Sequence, residues 1–252
     1  MTRIFDALRK LQPAPAVPFA PAAPALQPVP GRATAAPRGE AAPPPVVESV
    51  TAASLAADVE REMAALRVGL ESALEERATR VVLFMSSVGG EGTTSVASEF
   101  ASLLAGDPRL RVVVVDLNAR RPALAARFAP QGEPAARSRE PGRAAARLGL
   151  ARPGAGTPDA GIAPGAARAC VTSLSGAFDW VILDGPAILE SPEATDFATL
   201  ADGVVLVVRA GHTKRPVVAR AVDLLRKSGA RVLGTVLNRR RLEIPDFLYR
   251  RI

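Results

Sequence analysis

Five short, mostly apolar runs punctuate the chain after residue 80. They cover residues 81–85, 112–115, 180–183, 203–209 and 231–237, and all are rich in valine and leucine. None alternates polar with apolar residues, as a strand with one solvent-exposed face would. Runs of this kind are typical of strands that are buried on both faces of a parallel sheet.

Helical periodicity fills the intervals between these runs. Residues 94–104 and 217–227 are predicted to be helical, and a longer helix is predicted over residues 54–77 with Ser54 as its N-cap. Its apolar positions form one stripe at steps of three or four: Leu55, Val59, Met63, Leu66, Leu70 and Leu74. Strands that alternate with helices predict an α/β fold, a mostly parallel sheet with helices on both faces.

Three segments stand apart from this pattern. Residues 1–11 place four apolar side chains on one helical face, which predicts a short amphipathic helix that docks on a partner, on a membrane surface or on its own domain. Residues 12–50 are rich in proline and alanine and are predicted to form a disordered linker. Within the remaining domain, residues 51–252, a low-complexity stretch at 130–169 is predicted to be a mobile surface loop or a degenerate helical section.

Composition excludes several kinds of chemistry. Cys170 is the only cysteine and His212 the only histidine, which rules out an intrachain disulfide and disfavours zinc sites and histidine-based triads. The net charge is +7, but the arginines are scattered and not interleaved with aromatic residues, so nucleic-acid binding is disfavoured. No apolar run is long enough to span a bilayer. The expected location is the cytoplasm, with any contact to the inner membrane made through a partner.

A glycine-rich segment, residues 86–94, joins the first predicted strand to the next helix and reads S-S-V-G-G-E-G-T-T. Strand, glycine-rich turn and helix is the context of a phosphate loop, in which backbone amides and the helix N-terminus face an anion. The Thr94 hydroxyl stands where a Mg²⁺ ligand is expected. The candidate nucleotide-binding residues are Gly89, Gly90, Glu91, Gly92, Thr93, Thr94 and Ser95.

The loop departs from the phosphate-loop pattern at two positions. Thr93 stands where a lysine reaches the phosphates, and Ser87 replaces the first glycine. A hydrogen bond to a charged group contributes about 1.5–3 kcal/mol, so nucleotide affinity should fall about ten- to a hundredfold. A lost charge clamp on the transition state costs about 10²–10³ in rate. These losses predict nucleotide binding with weak or lost phosphoryl transfer.

Acidic residues end the next two predicted strands of the core. Asp116 and Asp184 are each placed to hold Mg²⁺ or one of its waters. The alternative role of Asp116 is to cap the following helix, and that of Asp184 is to act as a cap or turn residue. Asn118 can bind a water but carries no charge. Arg120, just after the first of these strands, is a candidate catalytic cation in place of the missing lysine.

Together these segments resemble the bacterial tyrosine kinases of capsule and exopolysaccharide synthesis. The matching stretches are residues 86–94, 116–122 and 179–186, followed by 202–211 and 234–239. The resemblance implies a P-loop NTPase fold of the MinD and tyrosine-kinase type, with ATP and Mg²⁺ as cofactors. It also implies a membrane polysaccharide co-polymerase (chain-length determinant) protein as partner, and homo-oligomers.

The resemblance assigns roles residue by residue. Gly90, Gly92 and Thr94 would line the phosphates, Thr94, Asp116 and Asp184 would serve the magnesium, and Asn238 would lie near the base. The family's clustered C-terminal tyrosines are represented here by one residue, Tyr249, which is either a packing residue or a phospho-acceptor. The family's ring-forming E-x-x-R-x-x-R would fall at Arg61, Ala64 and Arg67, of which only Arg67 matches.

Three alternatives remain open alongside a pseudokinase-like binding protein. They are an active autokinase in which an arginine such as Arg120 replaces the missing cation, a relic that binds no nucleotide, and a ParA- or MinD-like positioning ATPase. The last class carries a signature lysine at the position of Val88, which this chain lacks.

Overall fold

Seven strands of the described residues form one sheet in the computed structural model. In chain order they are β1 (Val47–Ser49), β2 (Arg80–Ser86), β3 (Val112–Asp116), β4 (Leu148–Ala151), β5 (Trp180–Asp184), β6 (Gly203–Arg209) and β7 (Val232–Asn238). Across the sheet their order is β1-β4-β3-β5-β2-β6-β7. β1 is antiparallel to β4, and every other neighbouring pair is parallel.

The structure describes residues 45, 47–74, 77–119, 122–128, 148–153 and 161–239. These belong to one compact unit, residues 42–252. The predicted helix at 1–11, most of the predicted linker, Arg120 and Tyr249 lie outside the described residues.

Six helices in the described part of the chain flank the sheet. They are α1 (Ala57–Ala73), α2 (Thr93–Ala105), α3 (Leu124–Phe128), α4 (Pro164–Leu174), α5 (Ala194–Ala198) and α6 (Arg215–Lys227). None of them is long and apolar enough to cross a bilayer.

Successive side chains of the central strands pack on opposite faces of the sheet. In β2, Val82 and Phe84 belong to one core cluster with residues of α1, α2 and α3, whereas Leu83 and Met85 belong to a second cluster with residues of α4, α5 and α6. Both sets are fully buried, which explains why the strand reads as a continuous apolar run. The predicted fold class, a mostly parallel P-loop-type sheet with helices on both faces, is confirmed.

The five predicted strands and the two shorter helices are present, with ends shifted by at most two residues. The long predicted helix at 54–77 is corrected to Ala57–Ala73, and its N-cap is Ala56 rather than Ser54. The helix begins later than predicted because the preceding segment is hydrogen-bonded to β4 and α2. The amide of Val50 donates to the Leu148 carbonyl, and the amide of Ala53 donates to the Ser102 hydroxyl.

Two segments that composition predicted to be irregular contain regular structure. β4 and the first turns of α4 lie inside the predicted loop at 130–169, and β1 lies inside the predicted linker at 12–50. The sequence conceals β4 because a glycine interrupts it. A Cβ on Gly149 would lie 2.6 Å from Val47 Cγ1, so the close approach of β1 and β4 requires a residue without a side chain.

Candidate functional site

A cleft of about 360 Å³ opens at the carboxyl edge of the sheet, where β2 continues into the glycine-rich loop. This volume falls within the range of small-ligand pockets. One wall is the loop and the start of α2, and the other includes Asn118 of the segment after β3 and residues that follow β5. The lining residues predicted as nucleotide-binding are Gly89, Gly90, Gly92, Thr93, Thr94 and Ser95.

The backbone of the loop is shaped like an anion-binding turn. Gly90 and Gly92 have φ angles of 82° and 93°, a left-handed conformation that favours glycine. α2 then begins at Thr93 without any side-chain cap. Within the described part of the chain, the amides of Thr93, Thr94 and Ser95 have no hydrogen-bond acceptor. Unpaired amides and the positive end of the helix dipole both favour an anion here.

Glu91 does not line the cleft, although it was predicted among the nucleotide-binding residues. Its side chain is buried, and its Oε2 accepts the amides of Ser87 and Val88 at 2.7 and 3.0 Å. Its Oε1 accepts the amide of Arg209 at 3.2 Å and the hydroxyl of Thr213. Glu91 therefore holds the loop in shape and joins it to the segment between β6 and α6.

Asn238 also supports the loop from outside the cleft lining. Its Nδ2 donates to the Glu91 carbonyl at 2.9 Å. A Cβ on Gly92 would overlap this amide group, so the glycine is required by the close packing as well as by its φ angle. The expected place of Asn238 near a nucleotide base stays a prediction.

Asp116 and Asp184 lie side by side at the ends of β3 and β5, where they are register partners. Their exposed fractions are 3% and 1%. Asp116 Oδ1 accepts the amide of Asn118 at 3.0 Å and so closes a turn directly after β3, ahead of the helix that begins at Leu124. Its Oδ2 and both oxygens of Asp184 have no hydrogen-bond partner within the described residues, which leaves three acceptor atoms buried and unused.

Burial raises the pKa of both carboxyl groups. For Asp184 it raises the pKa to about 7; the nearby Thr94 hydroxyl, which does not reach hydrogen-bond geometry, opposes this rise, and the charge of Asp116 adds to it. For Asp116 burial is again the largest cause, and the Asn118 amide and Arg152 oppose it. Two adjacent buried carboxylates with free oxygens are the arrangement that a cation stabilises.

The donor set fits magnesium better than a metal that needs an all-protein cage. The described residues contain no group of three or more His, Cys, Asp or Glu side chains that could hold a metal ion. Mg²⁺ is usually bound by one or two carboxylates, with phosphate oxygens and waters completing its shell. Thr94, Asp116 and Asp184 lie together at this edge of the sheet, and their role as magnesium ligands stays a prediction.

No protein-family model matches the chain. Among curated proteins, tyrosine-protein kinase CpsD of Streptococcus agalactiae is 36% identical over 69 residues, which is 27% of this chain and 30% of CpsD. Tyrosine-protein kinase YwqD of Bacillus subtilis strain 168 is 24% identical over 192 residues, covering 70% of this chain and 79% of YwqD. The match to CpsD therefore spans less than a third of that relative's length.

Solved structures agree on the fold. The kinase domain of Escherichia coli tyrosine kinase ETK has a TM-score of 0.52 at 17% identity, over 72% of this chain and 77% of that one. The VpsO kinase domain has a TM-score of 0.52 at 23% identity, over 73% of this chain and 98% of that one. The chain is similar in sequence to the tyrosine-protein kinases CpsD and YwqD, and it shares the fold of the ETK and VpsO kinase domains.

The lysine position of the phosphate-loop pattern is held by Thr93, which lines the cleft and is 8% exposed. Arg67, which alone matches the ring-forming motif, is engaged within its own chain. Its guanidinium contacts Glu71 at 2.8 Å and Asp107 at 3.5 Å. Of the departures noted in the sequence, Thr93 therefore lies in the cleft lining and the altered ring motif lies on α1.

Sequence reasoning missed two charged residues near the cleft. Glu190 lines the cleft, and its Oε1 accepts the amide of Gly89 at 2.8 Å. The Nη2 of Arg152 lies 4.0 Å from Asp116 Oδ2. Arg152 lay inside the predicted loop at 130–169, and only the position of β4 beside β3 brings it to Asp116. Glu190 belongs to no recognisable motif, so a local pattern offered no signal for it.

Proposed function

We propose that the protein is a nucleotide-binding, tyrosine-kinase-like P-loop protein of exopolysaccharide biosynthesis whose phosphoryl transfer is weak or lost. One observation carries the proposal: the paired, unsatisfied carboxylates of Asp116 and Asp184 lie beside a loop whose amides have no acceptor among the described residues. A phosphate chain with its magnesium satisfies both groups at once, which neither an anion nor a cation alone does.

The roles of the residues follow from their chemistry. The amides of Thr93, Thr94 and Ser95 bind phosphate oxygens, while Asp116, Asp184 and the Thr94 hydroxyl hold magnesium or its waters. Bound magnesium supplies positive charge to the phosphates. Thr93 is too short and carries no charge to extend over a terminal phosphate, so binding is retained more than catalysis.

The biological setting is proposed from a relative. The succinoglycan biosynthesis transport protein ExoP of Rhizobium meliloti is 28% identical over 179 residues, which is 64% of this chain but 22% of ExoP. We infer a cytoplasmic protein that acts with a membrane polysaccharide co-polymerase. Nucleotide binding would then gate that interaction rather than drive rapid phosphorylation.

The deciding experiment is calorimetric titration of MgATP into the wild-type chain and a Thr93→Lys variant. Restoring the cation should tighten binding about ten- to a hundredfold, because the remaining loop is shaped for phosphate. Thr172→Lys is the matched control, since it adds the same charge on an exposed position of α4. If the wild-type chain does not bind MgATP, the proposal is wrong.

An active autokinase is the second candidate, and one contact favours it. Arg152 places a guanidinium 4.0 Å from Asp116, where another cation is needed if phosphoryl transfer persists. Incubation of the wild-type chain with Mg²⁺ and labelled ATP separates the two functions. The binding role predicts no label on Tyr249, whereas stoichiometric label there would establish the kinase.

A further inference from the structure

The charge of the cleft lining is unusual for a phosphate site. Among the described residues that line it, Glu190 is the only charged one, and it is an acid. No lysine or arginine stands among them, since Thr93 holds the usual lysine position. Within the described lining, the attraction for phosphate therefore comes from backbone amides, and the carboxylate of Glu190 opposes it.

Glu190 also engages one of the loop's donors. Its Oε1 accepts the Gly89 amide at 2.8 Å, at the opposite end of the loop from the start of α2. A phosphate oxygen that approaches this amide has to displace a group of the same sign. The phosphate oxygen and Glu190 Oε1 therefore compete for the same N–H donor, in addition to repelling each other by charge.

Two more carboxylates lie next to the lining. Asp184 directly precedes Gly185 of the cleft wall, and Asp116 is its register partner on β3. Arg152 offsets part of the charge of Asp116, at 4.0 Å, but is itself half exposed. A free polyphosphate that enters this cleft therefore meets the carboxylate of Glu190 directly, with two further carboxyl groups buried behind the wall, and repulsion between like charges reduces affinity.

We propose that Glu190 is a specificity-determining residue that admits nucleotide only as its magnesium complex. Magnesium held by Asp116 and Asp184 neutralises phosphate charge, so that the loop amides outweigh the repulsion from Glu190. Free nucleotide, or a free polyphosphate anion, lacks this compensation and is rejected. The inference rests on the proposed nucleotide-binding function and adds to it the residue that makes binding depend on the metal.

The test measures the affinity of the full chain for ATP by calorimetry, in Mg²⁺ and in EDTA at one ionic strength. Wild type should bind at least about a hundredfold more weakly in EDTA. Glu190→Gln keeps an acceptor for the Gly89 amide but removes the charge, so it should regain about tenfold in EDTA. With Mg²⁺ present its affinity should change by less than about threefold, since the metal already offsets the charge.

Two further variants sharpen the result. Glu190→Ala removes both the charge and the contact with Gly89, and should regain affinity in EDTA to at least the same degree. Glu193→Gln removes the same charge three residues along the chain, outside the cleft lining, and should behave as wild type in both buffers. This control separates a local effect of Glu190 from a change in overall charge.

The outcomes distinguish the inference from the function beneath it. Binding of MgATP by wild type, with no gain in EDTA for either Glu190 variant, would overturn the inference alone. An equal gain for Glu193→Gln would overturn it too. Failure of wild type to bind ATP with Mg²⁺ would overturn the proposed nucleotide-binding function and the inference together.

Discussion

Asp184 shows how much the site depends on a single side chain. Its carboxylate is 1% exposed, and neither oxygen has a hydrogen-bond partner in the described part of the molecule. Burial therefore raises its pKa to about 7, against about 3.9 in an unfolded chain. In metal-free protein the unfolded state ionises first as pH rises, so the free energy of unfolding should fall between about pH 4 and pH 7 and then level off.

Asp184→Asn should remove most of this decline. In EDTA at pH 8 we expect the variant to be more stable than wild type by about 1–2 kcal/mol, with part of the gain lost because the new amide is also buried. Urea unfolding at pH 4.5 and pH 8 measures the difference. Asp196→Asn, at an exposed position of α5, is the control. Parallel pH profiles for wild type and Asp184→Asn would contradict the expectation.

Individual residues also show which parts of the site can be predicted from local sequence. Gly90, Gly92, Thr94, Asp116 and Asp184 were found because each follows directly from a strand, a turn or a helix start. The inward orientation of the Glu91 carboxylate was not predicted, because its partners Arg209 and Thr213 are more than a hundred residues away in sequence. Their contact depends on β6 lying beside β2.

At the scale of elements, the strands in the middle of the sheet were predictable and those toward one edge were not. β2, β3 and β5 are buried on both faces, so hydrophobic composition alone reveals them. β1 and β4 are only 3 and 4 residues long, and a glycine interrupts β4. Their pairing depends on backbone approach rather than on apolar side chains, and composition carries little signal of that.

Gly149→Ala tests whether this approach is tight. A Cβ there would lie 2.6 Å from Val47 Cγ1, so we expect a loss of about 1–3 kcal/mol in the free energy of unfolding. The added Val47→Ala change should restore part of the loss, because the clashing atom is removed. Gly165→Ala, on α4 with nothing within 4 Å of the new Cβ, is the control. If the two alanine variants are equally stable, the proposed close contact is wrong.

At the scale of the whole molecule, the net charge of the chain and the charge of the described cleft lining have opposite signs. The chain carries a formal net charge of +7, yet the only charged lining residue among those described is Glu190. A positive molecule draws anions toward its surface, particularly at low ionic strength. Under the inference above, Glu190 then determines which of these anions bind in the cleft.

Cys170 reports on the integrity of the sheet and its helices. It is 2% exposed within the cluster between the sheet and α4, and burial raises the pKa of its thiol to about 11. Because only the thiolate reacts quickly, native protein at pH 8 should resist iodoacetamide, whereas the urea-unfolded chain should take up one equivalent. Mass spectrometry of samples quenched over time follows the reaction. Rapid labelling of native protein would show that this cluster opens readily.

Glu91 also links two distant parts of the sheet edge. One carboxylate binds the amides of Ser87 and Val88 on one side and the amide of Arg209 and the hydroxyl of Thr213 on the other. The loop cannot be displaced without breaking these bonds or moving the approach to α6 with it.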